Sequence, residues 1–226
     1  MKIPRNTILW VIVFAIAMGF LEAAVVVYLR EIYYPSGFVF PLRSISIRDM
    51  IVELCREAAT LLMLIGIGVL TGKTRLQRFA FFLMTFGVWD IFYYIFLKLI
   101  LGWPVSLLTW DILFLLPVLW VGPVLAPCLL SLTMILLSAI ILRMEKLNGK
   151  MVMPRGALMC FIAGSLIIIG SFCEDPLRHL SAFNGENPVY MPTHYLWWLF
   201  ILGEVIIIGG ICQLYRIRPP MGSTKT

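Results

Sequence analysis

Six apolar runs of about 20 residues recur along this 226-residue chain, and a helix of that length is what crosses a hydrocarbon core roughly 30 Å thick. Backbone polar groups in lipid must be satisfied within the protein, so such runs fold as helices rather than as loops or open sheet edges. They leave no length for a separate soluble domain, and residues 1–226 read as a single integral membrane domain. The composition agrees, with 61% hydrophobic and 13% charged residues against about 25% charged in soluble chains.

Taken in order, the runs predict spans over Thr7–Arg30, Asp49–Leu70, Phe79–Leu101, Val124–Leu142, Ala157–Phe172 and Tyr195–Leu214. Ala15-Ile16-Ala17 mimics a signal-peptide cleavage site, but hydrophobicity continues through Leu29, too far for a signal segment, so the first run reads as an uncleaved span. Before the fourth span, Pro117, Pro123 and Pro127 interrupt an apolar stretch too long for one crossing, which predicts a broken or re-entrant segment over Ser106–Trp120. Tyr33-Tyr34-Pro35-Ser36-Gly37 and Pro41 mark an interfacial connection after the first span. The longest polar connection, Cys173–His194, carries Glu174, Asp175, His179, Glu186 and His194. The fold class expected is an all-α polytopic bundle of about six spans.

An even number of spans puts both termini on one side. Twelve Lys and Arg residues, Lys2, Lys150, Arg218 and Lys225 among them, fall on that side, and five, Arg30, Arg43, Arg48, Lys98 and Arg178, on the other. The positive-inside rule then predicts a plasma-membrane protein with cytoplasmic termini. The formal charge of +6 therefore marks orientation, and nucleic acid is not expected as a partner. Cys55, Cys128, Cys160, Cys173 and Cys212 lie singly at or within apolar segments, without metal-ligand spacing, and read as small buried hydrophobes.

Against this background, ionisable residues inside spans need a reason, because each costs on the order of 3 kcal/mol near the bilayer centre. Glu53, Arg56, Glu57 and Thr60 share one helical face. Glu22 lies beside a small-residue face, Ala15, Gly19 and Ala23, suited to close packing. Asp90, Tyr93 and Tyr94 form a second stripe by i, i+3 and i+4 spacing, and Asp111 falls in the broken segment. All of these belong to the half of the membrane away from the termini. The candidate binding residues are thus Glu22, Glu53, Arg56, Glu57, Asp90, Tyr93, Tyr94 and Asp111, with Arg56 as counter-charge and Lys98 nearby. Glu204, with Trp197 on its face, joins them or pairs with a neighbouring helix.

Such a cluster suits binding or passage of a proton, small cation or small polar solute. An intramembrane enzyme acting on a lipid or quinone is the alternative, and a non-catalytic subunit of a membrane complex, or a homo-oligomer, a third reading. The same charges as buried pairs fixing helix registry are the structural explanation. A divalent ion bridged by Glu22, Glu53, Glu57 and Asp90 is chemically possible, but no Glu-x-x-His or His-x-x-x-His spacing supports it, so no metal or other cofactor is assigned. Tyr93, Tyr94, Trp103, Trp110, Trp120, Trp197 and Trp198 fit an interfacial belt, with Tyr93 and Tyr94 the better candidates for a cleft.

Overall fold

The structure is a computed structural model and describes residues 4–38, 40, 46–148, 151–179 and 190–216. Lys2, Pro41, Arg43, Lys150, Glu186, Arg218 and Lys225, used above for loops and orientation, lie outside the described residues. Six helices form: α1 (Arg5–Tyr33), α2 (Ile47–Thr71), α3 (Arg75–Leu101), α4 (Leu125–Asn148), α5 (Arg155–Arg178) and α6 (Trp197–Arg216). All but α2 are long and apolar enough to cross a membrane. α2 has the length, with 25 residues, but carries Asp49, Glu53, Arg56 and Glu57. The chain is an all-α membrane bundle.

Capping explains two of the starts. Ser46 Oγ accepts from the Asp49 N–H at 3.1 Å, and Thr74 Oγ1 accepts from the Gln77 N–H at 3.0 Å, each filling one orphan donor of a first helical turn. α5 runs on to Arg178 with Pro176 inside it, so Glu174 and Asp175 belong to the helix and not to the loop expected from Cys173 onward.

α3 is the centre of the first half, packing against α1, α2 and α4. α1 runs parallel to it: Ala15 and Met18 meet Val88 and Trp89, while Ala23 and Val27 meet Tyr94 and Leu97. The small-residue face on α1 makes this approach possible, since a Cβ at Gly19 would sit 2.9 Å from the Trp89 carbonyl oxygen. α5 and α6 form an antiparallel pair in which Gly164 and Gly203 face each other's backbone, and α6 and the hairpin join this pair to α4. A Cβ on Gly203 would lie 2.5 Å from Ile168 and 2.8 Å from the Gly164 carbonyl oxygen, where backbone cannot yield cheaply. Gly203→Val is therefore expected to lower stability by about 1–3 kcal/mol or more, read as a lower unfolding temperature in mild detergent, while Gly209→Ala, in open space, leaves it nearly unchanged.

Between α3 and α4 the chain breaks as expected, but into strands. β1 (Trp110–Phe114) and β2 (Trp120–Pro123) pair antiparallel, with Asp111 opposite Gly122 and a register shift between Ile112 and Phe114. Pairing satisfies the backbone that the prolines deny to a helix, and aromatic and β-branched residues suit the pleated surface. The hairpin rests on α4 and α5 through β2. It lies at the end of the bundle where α1, α3 and α5 finish.

Candidate functional site

At that end a cavity of about 630 Å³ opens among α1, α2, α3, the hairpin and Tyr190. All eight candidate residues, Glu22, Glu53, Arg56, Glu57, Asp90, Tyr93, Tyr94 and Asp111, line it. They arrive from four separate elements because every helix contributes one polar stripe and that stripe is the face turned away from lipid. Thus α2 buries Glu53, Glu57 and Thr60 in line with Leu64 and Gly68.

The ion-paired charges form two groups, a triad around Arg56 and a pair around Arg30. Arg56 pairs with Glu22 of α1 and, through Nε at 2.8 Å, with Glu53 one turn earlier on α2. Thr60 Oγ1 donates to the other oxygen of Glu22 at 3.2 Å. The Arg30 pair is one that the sequence reading did not assemble. Arg30 Nη2 donates to Asp111 Oδ1 at 3.1 Å, and the guanidinium carbon lies 3.7 Å from the centre of the Trp103 ring and 4.4 Å from that of Phe38. Arg30 had been counted only as a loop cation, because it ends an apolar run; it is buried, with 7% of its surface exposed. Its i, i+4 neighbour Val26 and its i−8 neighbour Glu22 share its face, which is the signal that would have drawn it in.

Glu57 does not serve Arg56. Its carboxylate accepts from the backbone N–H of Leu115 at 2.9 and 3.1 Å and of Leu116 at 2.9 Å, so it holds the hairpin tip, where the ladder has ended and those donors lack strand partners. Asp90 turns toward α4 and accepts from Ser131 Oγ at 2.8 Å. Tyr94 donates to Asp111 Oδ2 at 3.2 Å, joining the second stripe to the Arg30 pair. Tyr93 is packed between Trp89, stacked at 6.5 Å between ring centres, and Tyr94 at 4.9 Å.

Asp111 sits on the hairpin rather than on a spanning helix, and burial pushes its carboxyl up to about 6 against the opposing pull of Arg30 and the Tyr94 hydroxyl. Burial and the neighbouring Asp175 carboxylate likewise raise the Tyr190 phenol. Tyr190 donates to Asp175 at 2.6 Å, and Thr193 Oγ1 donates to the other oxygen at 2.6 Å, so the acidic end of α5 anchors the segment that closes the cavity's far wall.

Lys98 and Glu204 stay out of the site. Lys98 Nζ donates to the Gly102 and Pro104 carbonyls at 3.0 and 2.8 Å, closing the end of α3. Glu204 accepts from Thr133 Oγ1 of α4 at 2.8 Å. Of the aromatic residues considered for a cleft, Tyr93 and Tyr94 line the cavity, joined by Trp89 and Phe114. Trp110 and Trp197 pack on Tyr195, and Trp120 stacks on Phe172. Among the described residues no three His, Cys, Asp or Glu side chains converge in a metal-holding arrangement. All five cysteines are free.

Toward the termini the interior is mostly apolar, with Gln77 and Glu145 buried at the ends of α3 and α4 and Glu145 accepting from Thr74 Oγ1 at 2.9 and 2.8 Å. Phe81, Leu83, Met84, Leu137 and Ile141 form its core, and the buried hydroxyls there, Thr85 and Ser138, donate to the Phe81 and Ala80 carbonyls at 2.7 and 2.6 Å. Comparison with protein families, with curated proteins and with solved structures finds no match to this chain.

Proposed function

We propose that this membrane protein binds a small organic solute in the cavity between α1, α2, α3 and the hairpin, in the half of the bundle opposite its termini. The observation that carries this reading is the size of the cavity together with its walls. About 630 Å³ lies within the 300–1,000 Å³ range of small-molecule sites and far exceeds what a proton or bare cation needs. Its lining is mostly aromatic and aliphatic, with eight charged groups converging on it, able to orient an organic ligand. Binding is favoured over passage because below Glu22 and Thr60 the three helices close on one apolar cluster, Ala15 and Met18 of α1, Leu64 of α2 and Val88 and Trp89 of α3.

The excess of twelve basic residues over five argues for cytoplasmic termini and for a site that faces outward. Arg48→Cys, at the cavity end of α2, should react with a membrane-impermeant maleimide on intact cells above the wild-type background, and Lys146→Cys, at the far end of α4, only after permeabilisation. The reverse pattern would overturn the orientation.

The binding reading itself is tested by native mass spectrometry of protein released from lipid particles. Wild-type chain should carry one small-molecule adduct per chain, and Val26→Trp, which places an indole in the cavity, should lose it while folding normally. An adduct retained in full by Val26→Trp, or absent from both, would refute the reading.

A further inference from the structure

The cavity has a side wall that is not closed by packing. α1 and α2 line opposite flanks of it, yet their backbones are not packed against each other, each being packed on α3 instead. What joins α1 to α2 is polar and sits at two heights. At the upper end Tyr33 Oη donates to Asp49 Oδ2 at 2.5 Å, and at the lower end Arg56 and Thr60 reach Glu22. Among the described residues no hydrogen bond or ion pair links the two helices between those levels. At 1.5 Å per residue, the two pins are about 10 Å apart along α2 and about 16 Å along α1. Between them Val26 and Leu29 of α1 and Met50 and Leu54 of α2 line the cavity, with Met50 half exposed. Apolar side chains on both flanks, with polar ties above and below and no close backbone packing between, suit a window rather than a seam.

The charge of the cavity says what passes through it. Six carboxylates, Glu22, Asp49, Glu53, Glu57, Asp90 and Asp111, meet two guanidiniums, Arg56 held by two glutamates and Arg30 by Asp111 and two aromatic rings, with Arg30 Nη1 the one buried guanidinium nitrogen left without a hydrogen-bond partner among the described residues. An anionic head group would meet three carboxylates for every guanidinium around that one open nitrogen, whereas a cationic one would find the carboxylate surplus and the faces of Tyr33, Trp89 and Tyr93. We propose that the ligand is an amphiphilic amine that enters sideways from the bilayer through the window between α1 and α2, its ammonium group settling among Glu22, Glu53 and the aromatic rings while its apolar body lies along Val26, Leu29 and Leu54.

This rests on the cavity being a ligand site, and the test separates the two claims. The protein is placed in nanodiscs of neutral lipid, and binding is followed with decyltrimethylammonium, tetramethylammonium and decyl phosphate. The chain-bearing ammonium should bind saturably, at least about tenfold more tightly than either of the others. Met50→Trp, which narrows the window at a side chain the ligand body does not lie along, should slow its association and its dissociation about tenfold alike and leave the equilibrium constant nearly unchanged, as expected for a gate rather than a contact. Equal binding of tetramethylammonium, or unaltered rates in Met50→Trp, would overturn sideways entry and leave the solute site standing. Preference for decyl phosphate would overturn the charge assignment. If no probe binds and the mass spectrum shows no adduct, the site reading fails as well.

Discussion

Arg30→Met is expected to destabilise the protein by about 3–5 kcal/mol, because it leaves Asp111 buried without its cation. The loss should show as a fall in unfolding temperature in mild detergent. The pair ties α1 to the hairpin, and Trp103 and Phe38 complete its enclosure, so the change also removes the guanidinium that those rings face. Arg30→Met combined with Asp111→Leu should recover most of the stability, since matched apolar groups replace a buried ion pair at little net cost. A single variant within about 1 kcal/mol of wild type would mean that water reaches the pair and that the enclosure described here is wrong.

Glu57→Leu is the second large effect. It removes the acceptor for the Leu115 and Leu116 amides at the hairpin tip, and each orphaned buried donor costs about 1–3 kcal/mol. Glu57→Gln keeps one acceptor oxygen and should lose less. Because the tip residues Leu115 and Leu116 line the cavity, the hairpin should loosen before the bundle melts, and amide exchange over Trp110–Pro123 should rise while α5 and α6 stay protected. Uniform exchange across bundle and hairpin would show that Glu57 holds nothing locally. The partners of Arg56 likewise decide which combined variant rescues its loss. Its partners are Glu22 and Glu53, so Arg56→Met should be rescued by Glu22→Leu with Glu53→Leu, and not by Glu57→Leu.

The bundle was legible in the sequence because lipid allows so few solutions. Run lengths name the helices to within a few residues, except that α4 and α5 each run about six residues past the expected end: α4 continues to Asn148, and α5 continues through Glu174, Asp175 and Pro176 to Arg178, where the His179 N–H donates to the Asp175 carbonyl. Helical spacing collected Glu53, Arg56, Glu57 and Thr60 on one face, and burial follows that face. What spacing does not carry is partnership across elements. Arg30 meets Asp111 over 81 residues of chain, and Glu57 meets backbone amides that exist as free donors only because residues 110–123 form a hairpin. Three prolines announced a break there, yet a proline says only that a helix stops, and the strand pairing is a tertiary outcome. The cavity arises from the same source, since α1 and α2 each pack on α3 rather than on each other.

The central claim, that these charged and aromatic walls enclose a ligand site, is tested most directly by an experimental density map of the wild-type protein solved from its native lipid. The account predicts ordered, non-protein density of organic size between α1, α2 and α3, in contact with Glu22 or Glu53 and lying along Val26 and Leu54, with the Arg30–Asp111 pair intact beside it. A map in which α1 and α2 close against each other and the space is filled by their own side chains would contradict it.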